Sequence, residues 1–223
     1  MRERSPRNGN ISIDVVLVTV AGDELAILLS RKAAERERWS IPWKYPAPGE
    51  SLAASASQVA REALGATPIW IEQLGAFADG KRHPADADVS VAFVALVPHE
   101  TAEPANGLAW FPVRDLPVIA PRQRAMVDTA LTMVGNRLDQ TPIAFRLLPE
   151  TFTLSDLQQM YELLLGKRLH KASFRRALQA AGLVEPTDEW RSEGRGRPAQ
   201  LYLYSPKKKR RSQRGVRFDL LQP

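Results

Sequence analysis

Hydrophobic spacing divides this chain into strands and helices before any chemistry is considered. Ile11-Ser-Ile-Asp-Val-Val-Leu-Val-Thr-Val20 is dense in β-branched residues, which suit a pleated backbone, and predicts a strand. Ala21-Gly-Asp-Glu24 supplies a turn and Leu25-Ala-Ile-Leu-Leu29 returns, so the two runs predict a hairpin. Arg31 to Arg38 is charged and loop-like. From Ser51 to Leu64 helix formers dominate, and Leu52, Ala56, Val59 and Ala63 fall on one stripe with Gly65 as the stop. Strands are predicted over Trp70–Phe77 and Val89–Val97, on either side of the polar loop Asp79-Gly-Lys-Arg-His-Pro84. Ala109-Trp-Phe111 begins another short strand, and Pro121–Arg137 reads as a helix carrying Met126, Ala130 and Met133.

Thr141-Pro142 marks a boundary, after which the pattern changes. Thr153 has a hydroxyl suited to cap a helix, with Asp156 at the third helical position and Leu154, Leu157, Tyr161 and Leu164 as the buried stripe up to Gly166. Leu169–Ala181 predicts a further helix, stopped by Gly182. Trp190-Arg-Ser-Glu-Gly-Arg-Gly-Arg-Pro-Ala-Gln-Leu-Tyr-Leu-Tyr204 then reads as strand, glycine-rich turn, strand. Helix, helix, hairpin is the order of a winged helix-turn-helix. The expected divisions are a flexible N-terminus over 1–10, an α/β domain over 11–140, a winged helix over 141–205 and a basic tail over 206–223.

Charge sharpens this division. Residues 141–223 hold 16 Lys/Arg against 8 Asp/Glu, and residues 1–140 hold 15 against 17. The net charge of +6 is therefore +8 at the back and −2 at the front, which directs a polyanion to the back only. The absence of cysteine removes disulfides, thiol nucleophiles and cysteine-ligated zinc. No apolar run approaches the roughly 18 residues a membrane span needs, and the first residues lack the apolar core of a signal peptide. A cytoplasmic protein without membrane partners is expected.

The front domain carries a recognisable chemical motif. Trp39-Ser-Ile-Pro-Trp-Lys-Tyr-Pro-Ala-Pro-Gly-Glu50 and the helix ending Arg61-Glu-Ala-Leu-Gly65 resemble a Nudix box, Gly-x5-Glu-x7-Arg-Glu-x-x-Glu-Glu-x-Gly. Acids three and four residues apart share a helix face and jointly hold Mg²⁺, which polarises a pyrophosphate and activates water. Aligned without gaps on Gly49-Glu50, the opening glycine falls on Lys44, the Arg-Glu pair on Gln58-Val59, the Glu-Glu pair on Glu62-Ala63 and the closing glycine on Gly65. Of the three helix carboxylates one survives. The expectation is a protein with no catalytic residues, no metal site and no Mg²⁺ or other cofactor. The alternative is a Nudix-type hydrolase with relocated ligands, in which Glu50, Glu62 and Glu72 or Asp79 converge. Candidate contacts to a nucleotide-type effector are Arg31, Lys44, Lys81 and Arg82 for phosphate, Trp39, Trp43 or Tyr45 for a base, and the surviving Glu50 and Glu62.

In the back domain, Phe174, Ala177, Leu178 and Ala181 would turn one face of the third helix into the core. That leaves Ala172, Arg176 and Gln179 outward, flanked by Ser173 and Arg175. Arginine reads guanine and glutamine reads adenine in the major groove, while Lys171 and Ser173 are placed for phosphate. Arg191, Arg195 and Arg197 decorate the hairpin, and a wing of this kind lays arginine along phosphates or into a narrow minor groove. His170 reads as a helix-entry or packing residue, and His83, His99 and His170 suggest no metal site.

The two halves together resemble the NrtR-type, Nudix-related transcriptional regulators over most of residues 11–204. The most specific segments are Phe152-Thr-Leu-Ser-Asp-Leu-Gln-Gln-Met-Tyr161, Gly166, Leu169, Ser173-Phe-Arg-Arg176, Leu183, Glu185-Pro-Thr187 and Gly194-Arg-Gly-Arg-Pro-Ala199. The resemblance implies a Nudix-type α/β/α sandwich with a mixed sheet, followed by a winged helix. It also implies a homodimeric repressor of palindromic double-stranded DNA, released by ADP-ribose or a related nucleotide, at operators of NAD synthesis or sugar use.

Overall fold

The β-branched run at the start forms β1 (Ile11–Ala21), turns at Gly22 and returns as β2 (Glu24–Arg31). Described here in a computed structural model are residues 10–31, 38–78, 83–84, 87–98, 104–192 and 198–206. β3 (Trp39–Ser40) and β4 (Trp43–Lys44) are two-residue strands within the box segment, too short to show in a hydrophobic pattern. α1 (Leu52–Leu64), β5 (Trp70–Phe77), β6 (Val89–Leu96) and β7 (Leu108–Pro112) follow. The sheet runs β3-β2-β1-β6-β5, with β4 also on β1 and β7 also on β2. β1 and β6 are parallel and the other pairs antiparallel, so the sheet is mixed.

Alternation along β1 decides what each face carries. Ile13, Val15 and Leu17 pack with Val91, Phe93 and Ala95 of β6 and with Ala56, Val59, Ala60 and Ala63 of α1. Leu52, expected on that stripe, is instead 37% exposed. It is the first residue of the helix, a turn short of the strands. Ser12 and Asp14 point to the opposite face, where α2 (Pro121–Arg137) places Arg122 and Gln123. This gives helix, sheet, helix layers, the α/β sandwich expected.

The chain divides into two compact units, Met1–Thr132 and Met133–Pro223, and the division falls inside α2. In the second unit come α3 (Ile143–Arg146), β8 (Thr151–Phe152), α4 (Leu154–Leu165), α5 (Lys171–Ala181), β9 (Val184–Arg191) and β10 (Ala199–Tyr204). The three strands form one antiparallel sheet in the order β8-β10-β9. Thr153 and Asp156 close a reciprocal capping box on α4, as the sequence predicts. Leu157, Tyr161 and Leu164 are buried, whereas Leu154, in the first turn, is only half-buried. β9 starts at Val184, six residues before the strand expected from Trp190, because Glu185-Pro-Thr-Asp188 lacks an apolar alternation. An aromatic cluster holds the unit together: Phe145 stacks on Tyr204 with centroids 4.3 Å apart and meets Phe152 and Tyr161, and Tyr161 meets Phe174. Such pairs add about 0.5–1.5 kcal/mol each beyond burial.

Candidate functional site

In the first unit the box residues separate onto two faces of the sheet. β4 pairs with β1 so that Lys44 lies opposite Ile13 and Trp43 opposite Asp14. Ile13 faces α1, so Lys44 does too. Its ammonium stands 3.3 Å from Glu50 Oε2 and donates to Gln58 Oε1. Gln58 Nε2 donates in turn to Glu62 Oε1 at 2.6 Å, one turn along α1. Glu50 also accepts the Ala47 amide at 3.1 Å. The Ser55 hydroxyl and then the Ala47 amide hold the Glu50 carboxyl below the ordinary range, with a smaller contribution from Lys44 and a small opposing one from burial.

Trp43 turns the other way, against Tyr45 (centroids 5.3 Å) and His83 (5.5 Å). Arg31 and Trp39 pair across β2 and β3, with the guanidinium 5.9 Å from the Trp39 ring and that ring edge-on to Phe111 at 4.7 Å. By the register of β1 on β2, these residues share the face of Asp14, not that of Lys44. Gly107 brings β7 close here: Arg31 N donates to its carbonyl at 2.7 Å, and at φ +83° a Cβ would meet Arg31 O at 3.3 Å. The structure therefore joins Lys44, Glu50 and Glu62, joins Arg31 and Trp39, and keeps the two groups on opposite faces. Lys81 and Arg82 lie outside the described residues, as does Asp79.

One polar cluster was missed in the sequence. Asp14, fully buried, accepts from Ser12 Oγ at 2.6 Å and from Gln123 Nε2 at 3.3 Å, and its Oδ1 lies 2.7 Å from His83 Nε2. Ser12 reaches Ser90 at 2.9 Å, and Arg122 reaches Ser90 at 3.4 Å and the Ala87 carbonyl at 2.7 Å. Gln123 Oε1 accepts the Ile41 amide at 3.3 Å. A lone aspartate inside an apolar strand was the available signal, since a buried charge must be paired.

The box does not fit a divalent cation. Mg²⁺ takes an octahedron of oxygens at about 2.0–2.1 Å. Here an ammonium and an amide NH₂ already face the oxygens of Glu50 and Glu62. Val59 and Ala63, at the positions of the missing acids, are 4% and 5% exposed in the apolar core. Among the described residues no group of three or more His, Cys, Asp or Glu could hold a metal ion; Asp79, the other acid of the relocated-ligand alternative, lies outside them.

In the second unit α5 presents the expected faces. Phe174, Leu178 and Ala181 are buried, while Lys171, Ala172, Arg175, Arg176 and Gln179 are exposed. Ser173 is half-buried and 3.2 Å from the ring of His170, the residue at the helix N-cap. The turn before α5 is fixed by Glu162, whose carboxylate accepts from Gln158, Arg168 and the Leu169 amide, each at 2.9 Å. Burial pushes its pKa up, but those donors outweigh it and leave the group below its ordinary value. Arg191 is not a free wing cation: its Nη2 lies 2.8 Å from both oxygens of Asp156. Arg195 and Arg197 lie outside the described residues.

These features define a class, a Nudix-like α/β sandwich joined in one chain to a winged helix. Residues 144–204 match the family described as the NrtR DNA-binding winged helix domain. The chain is 27% identical over 205 residues to the ADPR responsive transcriptional repressor NtrR of Acinetobacter baylyi (strain ATCC 33305 / BD413 / ADP1), covering 87% of this chain and 82% of that protein. It superimposes on Shewanella oneidensis NrtR complexed with a 27mer DNA with TM-score 0.75 and 27% identity, over 88% of this chain and 94% of that one. A MutT/nudix family protein from Enterococcus faecalis shares the fold at TM-score 0.68 and 18% identity, over 92% and 90% of the two chains. Along most of its length the chain is therefore similar to the NrtR-type, Nudix-related transcriptional regulators. Among the described residues no helix is long and apolar enough to cross a membrane.

Proposed function

We propose that this chain is a DNA-binding transcriptional repressor whose Nudix-like domain senses an ADP-ribose-class nucleotide instead of hydrolysing it. The observation that carries the reading is the likeness, along nearly the whole chain, to an NrtR solved on DNA. The exposed Lys171, Arg175, Arg176 and Gln179 of α5 support it from the residues themselves. In this reading Arg176 and Gln179 meet base edges, and Lys171, Ser173 and Arg175 meet phosphates together with Arg195 and Arg197 of the wing. Lys44, with Glu50 and Glu62 around it, holds the phosphorylated end of the ligand. The Arg31–Trp39 pair, on the other face of the sheet, is not part of this contact set. The box is degenerate, with hydrolysis abandoned rather than relocated. The active species is a cytoplasmic homodimer on a palindromic operator, which light scattering and footprinting would show.

The deciding experiment is fluorescence anisotropy on DNA from the protein's own promoter region, with and without ADP-ribose. Specific binding that ADP-ribose releases is the expected result. Binding to no sequence at moderate salt would sink the reading. Incubation with Mg²⁺ or Mn²⁺ and a panel of dinucleotides should give no turnover, and turnover abolished by Glu62→Gln would restore the hydrolase.

A further inference from the structure

We infer that the ammonium of Lys44 is a tethered cation that takes the place of the divalent ion in this box, so that phosphate recognition needs no metal. This rests on the nucleotide-sensing reading for the ligand, but not for the cation. Lys44 stands where the aligned box opens with glycine, a position with no side chain to offer. β4 turns it toward α1, and its Nζ meets Glu50 and Gln58. Gln58, at the aligned arginine position, passes the contact on to Glu62. Both surviving carboxylates thus already answer to donors of the chain itself. The cation is held at the mouth of the helix by a strand, a loop glutamate and a helix amide, and it cannot diffuse away.

An ammonium has three donors. Two are taken by Glu50 and Gln58, and the side chain keeps 21% of its surface exposed. The remaining donor is the one an incoming phosphoryl oxygen would accept. A divalent ion entering beside Glu50 would meet a fixed positive charge and lose an oxygen ligand to it. Binding of phosphate and binding of metal therefore compete for one place, the reverse of a catalytic box, where metal and phosphate bind together.

Free Mn²⁺ measured by electron paramagnetic resonance in the presence of the full-length protein tests the cation. The wild type and Lys44→Arg should leave millimolar Mn²⁺ free. Lys44→Ala, which uncovers Glu50 and removes the fixed charge beside it, should tighten Mn²⁺ binding at least about tenfold, and Lys44→Ala/Glu50→Gln should lose the gain. Mn²⁺ bound by the wild type, or no gain in Lys44→Ala, overturns the inference. The wild-type measurement stands even where a variant fails to fold. Calorimetry with ADP-ribose tests the ligand: affinity unchanged by EDTA and weakened about tenfold or more by Lys44→Ala is expected, and affinity lost on chelation overturns the inference. ADP-ribose that fails to bind under either condition counts against the proposed ligand alone, and the Mn²⁺ result then decides the cation.

Discussion

Two residues show how much a single side chain decides. Asp14 accepts from Ser12 and Gln123 and pairs with His83, with no solvent to replace it. Removing an acceptor strands each buried donor at about 1–3 kcal/mol, non-additively. Asp14→Ala should therefore cost of the order of 3 kcal/mol in urea denaturation, and a loss under about 1 kcal/mol would mean that water or a rearranged Gln123 replaces it. Arg176 is the opposite case, exposed and outward on α5. Its removal should leave folding intact and cost about 1–3 kcal/mol of affinity for the operator, relaxing base preference at one position. An equal loss on all sequences would assign it to phosphate.

Elements were legible where one periodicity ruled them. β1, α1, α4 and α5 follow from apolar spacing and from caps such as Thr153, Gly166 and Gly182. β3, β4 and β8 have two residues each, which is no period at all, and they are fixed by pairing with distant strands. For the same reason the box residues could be listed but not sided: only the register of β4 on β1 shows that Lys44 takes the face of Ile13 and Trp43 that of Asp14. The Asp156–Arg191 pair was hidden by its sequence separation, and it recasts Arg191 from a DNA contact to an anchor between the start of α4 and the base of the wing. For Asp156, burial raises the pKa, but Arg191 and the Thr153 amide and hydroxyl outweigh it and the result is lowered. A carboxyl lowered by folding adds stability above its unfolded pKa and loses it as pH falls through the folded one. Asp156 and Glu162 both have this sign. The wild type should lose denaturation midpoint between neutral pH and about pH 3 more steeply than Asp156→Asn or Glu162→Gln, and parallel curves would show that folding lowers neither carboxyl's pKa.

On the scale of the whole chain, charge is more localised than the fold. Residues 141–205 contain 9 Lys/Arg and 7 Asp/Glu, a net of +2, whereas residues 206–223 contain 7 Lys/Arg and one Asp, a net of +6. On the proposed reading, base reading and electrostatic attraction belong to different stretches: α5 would carry the side chains that distinguish sequences, while the terminal stretch carries most of the net charge. Phosphate neutralisation releases counterions, and the slope of log affinity against log salt is about −0.9 per contact. If the tail supplies contacts, deleting residues 206–223 should flatten that slope by several units, up to about 6 if all seven cations reach phosphate. Affinity for operator and for unrelated DNA should fall together, so the ratio between them survives. An unchanged slope would put the phosphate contacts back on α5 and the wing. A collapsed ratio would give the tail a share in reading sequence, against the division of labour drawn from the charge.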